Sequence, residues 1–257
     1  HGLVFSGGSA CGLESATGVQ TWLFEHGHGF PVGKTHIPIV PCAVIFDLFA
    51  NSTDATQSIV DYRELGRISC EQSSRTFSLG NAGAGCGAVA GDLKGGTGSA
   101  SLSDTQSDYM VGAIAVVNSA GSPVVPGSSV FWAWPFEQQN ELGGQATPKH
   151  PDSLEPHFPR NLGPMAHTTL VAVATDAPLT SNQTKRLAIM AQDGLARALR
   201  PVHAPQDGDT VFALSTTGSS DAAAAVSIEI LARLGALAAD CTARAIARGV
   251  FEAESTT

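Results

Sequence analysis

The sequence predicts a layered α/β sandwich with helices outside and sheets inside. One observation is that its best-defined strand, Thr168-Thr169-Leu170-Val171-Ala172-Val173-Ala174-Thr175, is apolar on both faces and so needs cover on both sides. Another is order, because the chain after Thr168 reads strand, helix, strand, helix. A third is composition: 257 residues with 43% hydrophobic side chains supply a core for one large domain or two small ones.

The elements follow in chain order. Residues 2 to 6 read as the end of a buried strand, and Ser6-Gly7-Gly8-Ser9-Ala10-Cys11-Gly12 makes a glycine-rich turn. Leu13, Ala16, Val19 and Leu23 then fall at helical spacing, with Gly27 and Gly29 ending the helix. A second buried strand is predicted over Pro38–Phe46 and a helix from about Ala55 to Leu65. The stretch from Gly80 to Gly87 carries too many glycines for a stable helix, at about 1 kcal/mol each against alanine, and is predicted as a loop. Strands are predicted over residues 98–102 and 109–118, at Val124-Val125 and at Val130-Phe131. Residues 134–166 hold no sustained period and are predicted as a long surface segment. After strand 168–175, Thr180-Ser181-Asn182-Gln183 has the form of a capping box, and Leu187, Ala191, Leu195 and Leu199 line one helix face. A strand over 209–216 precedes a helix from Ser220 to Arg248 that Gly249 ends.

Charge and cysteine usage narrow the function. The formal net charge is −9 and no Lys/Arg run exceeds Lys185-Arg186, which argues against a nucleic-acid partner. No stretch approaches the roughly 18 consecutive apolar residues of a membrane span, and no signal peptide opens the chain, so a soluble, cytoplasmic protein without a membrane partner is expected. Cys11, Cys42, Cys70, Cys86 and Cys241 are odd in number and widely spaced, as expected of free buried thiols. The chain starts at His1 and runs at once into an apolar strand, from which absent upstream sequence is expected.

Candidate chemistry centres on Thr168. A threonine pair opening a strand is by itself ordinary β-propensity. If the chain is cut before Thr168, however, one residue holds a hydroxyl nucleophile and an α-amine whose ordinary pKa of about 7.7 to 8.0 suits a base. Asp207-Gly208-Asp209-Thr210 reads either as a turn or as carboxylates that hold the Thr168 ammonium or hydroxyl. Asn118, which closes a strand, is either a turn former or an oxyanion donor. His26 and His28 flank Gly27 without a third ligand at a telling spacing, so no metal site is expected. Ser6-Gly7-Gly8-Ser9 before a helix offers backbone N–H groups to an anion, but lacks the Lys of a phosphate loop.

Four stretches join these candidates. His1 to Leu13, Ile39 to Asp47, Gly83-Ala84-Gly85 through Lys94-Gly95-Gly96, and Asp207 to Ala213 resemble, in order, the DmpA-type aminopeptidases, with their β-peptidyl aminopeptidase and endo-type nylon-oligomer hydrolase relatives. The resemblance implies a four-layer αββα sandwich of the DmpA and ornithine acetyltransferase type. It also implies autocleavage of a single hydrolase domain between His167 and Thr168, into a large piece 1–167 and a small piece 168–257. On the same basis Thr168 is the nucleophile, Asn118 the oxyanion donor, and Asp207 and Asp209 the orienting residues. Three positions bear on substrate binding: Phe46 replaces a Tyr and Asp92 stands where many members have Lys, both departures from the pattern, and Lys94 lies nearby to compensate for Asp92. The family's N-terminal segment has no counterpart before His1.

The expected function is therefore a self-processing amide hydrolase of the aminopeptidase type, acting on peptides, amino-acid amides or related oligoamides without a cofactor. The alternatives are an endo-type 6-aminohexanoate oligomer hydrolase with the same mechanism, and an acyltransferase or non-catalytic protein on the same fold. A homo-oligomer, a tetramer of processed units, is implied by the resemblance.

Overall fold

A computed structural model describes residues 1–48, 60–146, 155, 167–217 and 225–253. Strand β1 (Val4–Ser6) leads through a 3-10 turn at Ser9–Leu13 into helix α1 (Glu14–Glu25), as the apolar spacing predicts. Gly8 enters that turn with a left-handed φ of 80°, a conformation that favours glycine. An exposed hairpin of β2 (Phe30–Val32) and β3 (Thr35–Ile37) follows, which the sequence pattern does not predict. Every residue in its strands is exposed, so no alternation of apolar and polar positions marks them.

The strand expected over Pro38–Phe46 is shorter. Only β4 (Cys42–Val44) pairs, in parallel with β1 and with Ala43 opposite Phe5, because Pro38 and Pro41 lack the N–H that a ladder uses. Helix α2 is Tyr62–Glu71, displaced toward the C-terminus from the predicted Ala55–Leu65, whose first five residues lie outside the described ones. Its start is set by Asp61, whose carboxylate accepts the Glu64 N–H at 2.9 Å.

The glycine-rich stretch is a turn, as expected, with a 3-10 turn at Gly83–Gly85 and a small hairpin of β5 (Val89–Ala90) and β6 (Leu93–Lys94). Strands β7 (Gly96–Ser103) and β8 (Met110–Asn118) follow, and Val124 and Phe131 form an isolated bridge rather than two strands. The segment predicted as surface over 134–166 is partly core. Leu142 is buried, and Glu141 takes a two-pronged ion pair from the buried Arg244; residues 147–154 and 156–166 lie outside the described ones.

Strand β9 (Thr168–Thr175) precedes α3 (Ser181–Ala191), which begins with the expected capping box of Thr180 and Gln183. The single helix expected through Leu199 is two, since α4 (Asp193–Ala198) starts anew after Gln192. The break lies beside Gly194, where the missing Cβ lets the backbone rest on Ala239 and Thr242. Strand β10 (Thr210–Ser215) is followed by α5 (Ile228–Phe251), which starts at the Ser227 cap instead of Ser220. Residues 218–224 lie outside the described ones.

Gly249 does not end α5. It lies inside the helix, where it meets the backbone of β7, and a Cβ added at Gly98 would overlap the Ala245 carbonyl and the Gly249 nitrogen. Helix and strand touch backbone to backbone, so neither side has a flexible atom to move. Gly98→Ala is expected to lower stability by about 1–3 kcal/mol. Chemical denaturation checks this, with the midpoint falling while the far-ultraviolet spectrum stays unchanged.

The central sheet runs β10-β9-β8-β7, parallel between β10 and β9 and antiparallel elsewhere. One face, with Val111, Ala113, Val171 and Val173, packs on Leu187, Leu195, Leu234 and Ile246 of α3, α4 and α5. Full burial of each such large side chain contributes about 1.5–3 kcal/mol. The other face, with Val116 and Leu170, packs on Ile45, Ala88, Phe5 and Ala43, and the Phe5 and Phe212 rings lie 5.9 Å apart. Helix α1 backs β1 and packs on α2, where Gly18 and Gly66 allow close backbone approach. The layers are thus helices, four-stranded sheet, the β1/β4 pair, and helices, in the expected αββα order.

The cysteines differ from expectation. All five are free thiols, but only Cys241 is buried, where desolvation pushes its pKa up to about 12, and Cys11 and Cys86 are exposed.

Candidate active site

Pairing of β8 with β9 sets the site. Asn118, last in β8, stands opposite Thr168, first in β9. Side chains alternate along each strand, so Asn118 and Thr168 share the face of Val116 and Leu170 that looks toward β1/β4, while Thr169 turns to the helix face and is fully buried.

The Thr168 hydroxyl donates to the carbonyl of the preceding residue, with Oγ1 2.6 Å from the His167 oxygen. The same oxygen accepts the Gly208 N–H at 2.8 Å. This contact comes from a parallel bridge between His167 and Asp207 that extends the β9/β10 ladder past its regular end. Gly208 leaves room for the hydroxyl in this rotamer, because a Cβ there would lie 2.7 Å from Thr168 Oγ1. A hydroxyl, the carbonyl of the peptide bond before it and a backbone donor to that carbonyl's oxygen are therefore in one place.

Asn118 is held by its neighbours. Its Oδ1 accepts the Val89 N–H at 2.9 Å, and its Nδ2 donates to the Phe46 carbonyl at 3.2 Å. Phe46 thus reaches the site through its backbone, which the Tyr-to-Phe departure leaves intact. The β5/β6 hairpin hangs on the same amide, with Lys94 paired opposite Val89 and Asp92 exposed at the turn. Of the two charged positions, Lys94 is the one in register with the Asn118 contact.

The two carboxylates take different partners. Asp207 Oδ2 accepts the Ala204 N–H at 2.8 Å, and Oδ1 is buried without a partner among the described residues. Asp209 Oδ1 accepts the Thr169 N–H at 2.8 Å, and Oδ2 lies 2.8 Å from His203 Nδ1. Asp209 therefore ties the amide that follows Thr168 to the His203 ring. Burial raises the Asp209 pKa above the usual carboxylate value, with the Thr169 N–H and His203 opposing that rise and Asp207 adding to it.

His167 is buried with both ring nitrogens unpartnered among the described residues. Burial lowers its pKa against the opposing charge of Asp207, which favours a neutral ring at pH 7.

The other sequence candidates do not assemble. Among the described residues no group of three His, Cys, Asp or Glu could hold a metal ion, and the His26 ring stacks on Trp22 at 3.9 Å. In Ser6-Gly7-Gly8-Ser9 the Gly8 N–H is already bonded to Asp47 Oδ1 at 2.6 Å, so a carboxylate of the protein sits where an anion would bind. No helix among the described residues is long and apolar enough to cross a membrane. Three contributors are not predicted from the sequence: the Gly208 N–H, His203 and Asp47. Gly208 carries a signal, being inside the Asp-Gly-Asp turn. His203 carries none beyond its place six residues before Asp209.

Comparison with known proteins places these residues in a wider context. Residues 1–257 match the model of peptidase family S58. An uncharacterized aminopeptidase of Mycobacterium tuberculosis is 38% identical over 262 residues, which cover 98% of this chain and 74% of the relative. A 6-aminohexanoate-oligomer endohydrolase of Paenarthrobacter ureafaciens is 28% identical, over 84% of this chain and 60% of its own length. Among solved structures, the L-aminopeptidase D-Ala-esterase/amidase from Ochrobactrum anthropi, described as a variant of the Ntn hydrolase fold, has a TM-score of 0.65 at 21% identity. That match covers 95% of this chain and 64% of the other, so the chain spans under two thirds of that structure's length.

Proposed function

Since the chain belongs to peptidase family S58, we propose that it is a self-processing amide hydrolase that cuts between His167 and Thr168 and then uses Thr168 as an N-terminal nucleophile. The observation that carries this reading is the pairing of Thr168 Oγ1 with the His167 carbonyl at 2.6 Å, under a Gly208 N–H at 2.8 Å.

In self-cleavage, Thr168 Oγ bonds to the His167 carbonyl carbon and the oxygen takes the negative charge beneath Gly208 N–H. The C–N bond then breaks, and the nitrogen takes the proton that the hydroxyl released. Water hydrolyses the resulting ester, leaving a His167 carboxylate and a free Thr168 amine, hence the pieces 1–167 and 168–257. In turnover that amine takes the hydroxyl proton while Oγ attacks a substrate carbonyl, and it passes the proton to the departing amine. The acyl group leaves by attack of water. Asn118 is the proposed donor to the substrate oxyanion, and Asp209 fixes the strand that carries the nucleophile.

The substrate class we favour is an amino-acid amide or a peptide cut at its amino end, because the 38%-identical relative is named an aminopeptidase while the oligomer endohydrolase is more distant at 28%. The test has two parts. Denaturing mass spectrometry of the purified chain is expected to give two pieces, the smaller beginning at Thr168. Release of p-nitroaniline from an amino-acid p-nitroanilide is expected to exceed cleavage of a 6-aminohexanoate oligomer, and the reverse order would move the assignment to the oligomer. Faster transfer of the acyl group to an added amine than to water would make the protein an acyltransferase instead.

A further inference from the structure

One buried carboxylate of the site is connected to the surface through a single side chain. The Asp209 side chain is 4% exposed, whereas that of His203, bonded to it through Nδ1 at 2.8 Å, is 35% exposed. His203 adopts a left-handed φ of 53°, which is uncommon for a residue with a Cβ. The loop that imposes this is pinned at the next residue, where the Ala204 N–H donates to Asp207 Oδ2 and the Asp207 N–H donates to the Ala204 carbonyl, each at 2.8 Å. On its far side His203 Nε2 lies 3.5 Å from Gln192 Nε2.

We propose that His203 is a positioning residue for the chemistry of Thr168: it fixes the buried Asp209 carboxylate, which holds the Thr169 amide next to the nucleophile. This role rests on Thr168 being the nucleophile.

Burial of Asp209 has to be compensated. A carboxylate withdrawn from water needs donors in place of its hydration shell, and Asp209 has two, the Thr169 N–H and the His203 ring. The charged and titratable groups facing it are Asp207 and His203 from its own loop, while β9 contributes the Thr169 N–H; His167 faces Asp207. Burial and Asp207 both favour the protonated acid, and His203 opposes them. Loss of His203 therefore makes Asp209 take up a proton at higher pH than before. A protonated Asp209 is a weaker acceptor for the Thr169 N–H.

The experiment compares unmutated protein, His203→Ala and His203→Gln between about pH 3 and pH 9, a range that starts below the ordinary carboxylate value. Self-cleavage is followed by denaturing mass spectrometry, and hydrolysis of an amino-acid p-nitroanilide gives kcat and KM. For His203→Ala the acid limb of the self-cleavage rate, which precedes any free Thr168 amine, is expected to move up by about one pH unit. That shift lowers the rate about tenfold on the acid limb and leaves it within about threefold at the alkaline end. KM is expected to stay unchanged, and His203→Gln, which keeps a donor, to fall between. Equal loss at every pH, or an unmoved profile, overturns the proposal. Carboxyl carbon-13 titration of Asp209 in a Thr168→Ala background measures the same effect without turnover, since its midpoint must rise when His203 is also removed. If Thr168→Ala alone leaves cleavage and turnover intact, the nucleophile assignment fails while the Asp209 titration still reports on His203.

Discussion

Thr168→Ala is expected to yield one uncleaved chain and to lower amide hydrolysis by at least about 10⁴-fold, the scale of loss when a nucleophile is removed. The variant should fold, because Thr168 is only half-buried at the start of β9 and the hydroxyl's hydrogen bond runs to its own neighbouring carbonyl. Thr168→Ser restores a hydroxyl at the same place and is expected to recover both cleavage and hydrolysis at reduced rates. Intact mass and a p-nitroanilide assay measure the two effects separately. Normal hydrolysis by the alanine variant, or by unmutated chain that stays in one piece, would remove Thr168 from the mechanism.

Gly208→Ala is expected to separate stability from reactivity. The added methyl would sit 2.7 Å from Thr168 Oγ1, and that oxygen is the only Thr168 atom at such a distance, with Cγ2 at 3.6 Å. Rotation of the threonine about χ1 relieves the clash cheaply, but carries Oγ1 away from the His167 carbonyl. A displacement of about 1 Å is enough to cost about 100-fold in rate. Stability should not fall, since Gly208 does not need a left-handed φ and alanine loses about 0.4–1 kcal/mol less conformational entropy on folding. Thermal denaturation and the time course of chain cleavage check the two halves. Rapid cleavage in this variant would mean that Thr168 reacts from another rotamer.

Elements whose cause is local are legible in the sequence. The capping box at Thr180 and Gln183 and the doubly apolar run from Thr168 need only their own residues to be recognised, and both are found as expected. Hairpin β2/β3 is invisible because neither face is buried, and Gly249 reads as a helix end because its partner is the backbone around Gly98, about 150 residues away in the chain. The site divides in the same way. Thr168 and Asp209 each carry a local signal, but the register that sets Asn118 opposite Thr168 spans two strands far apart in sequence, and only the family resemblance joins them. His203 is not legible, because it acts through a loop without periodicity, and Gly208 shows only as a turn glycine because its part is played by a backbone N–H.

The Asp207 and Asp209 pair has a consequence for direction. Before the cut, the His167 carbonyl is neutral and accepts the Gly208 N–H beside these acids without penalty. In the proposed cut that oxygen would become part of a carboxylate and the Thr168 nitrogen an ammonium, so one new end would be repelled by the acids and the other drawn toward them. On the proposed mechanism the acids would thus hold the amine end in the site and push the carboxylate end out of it.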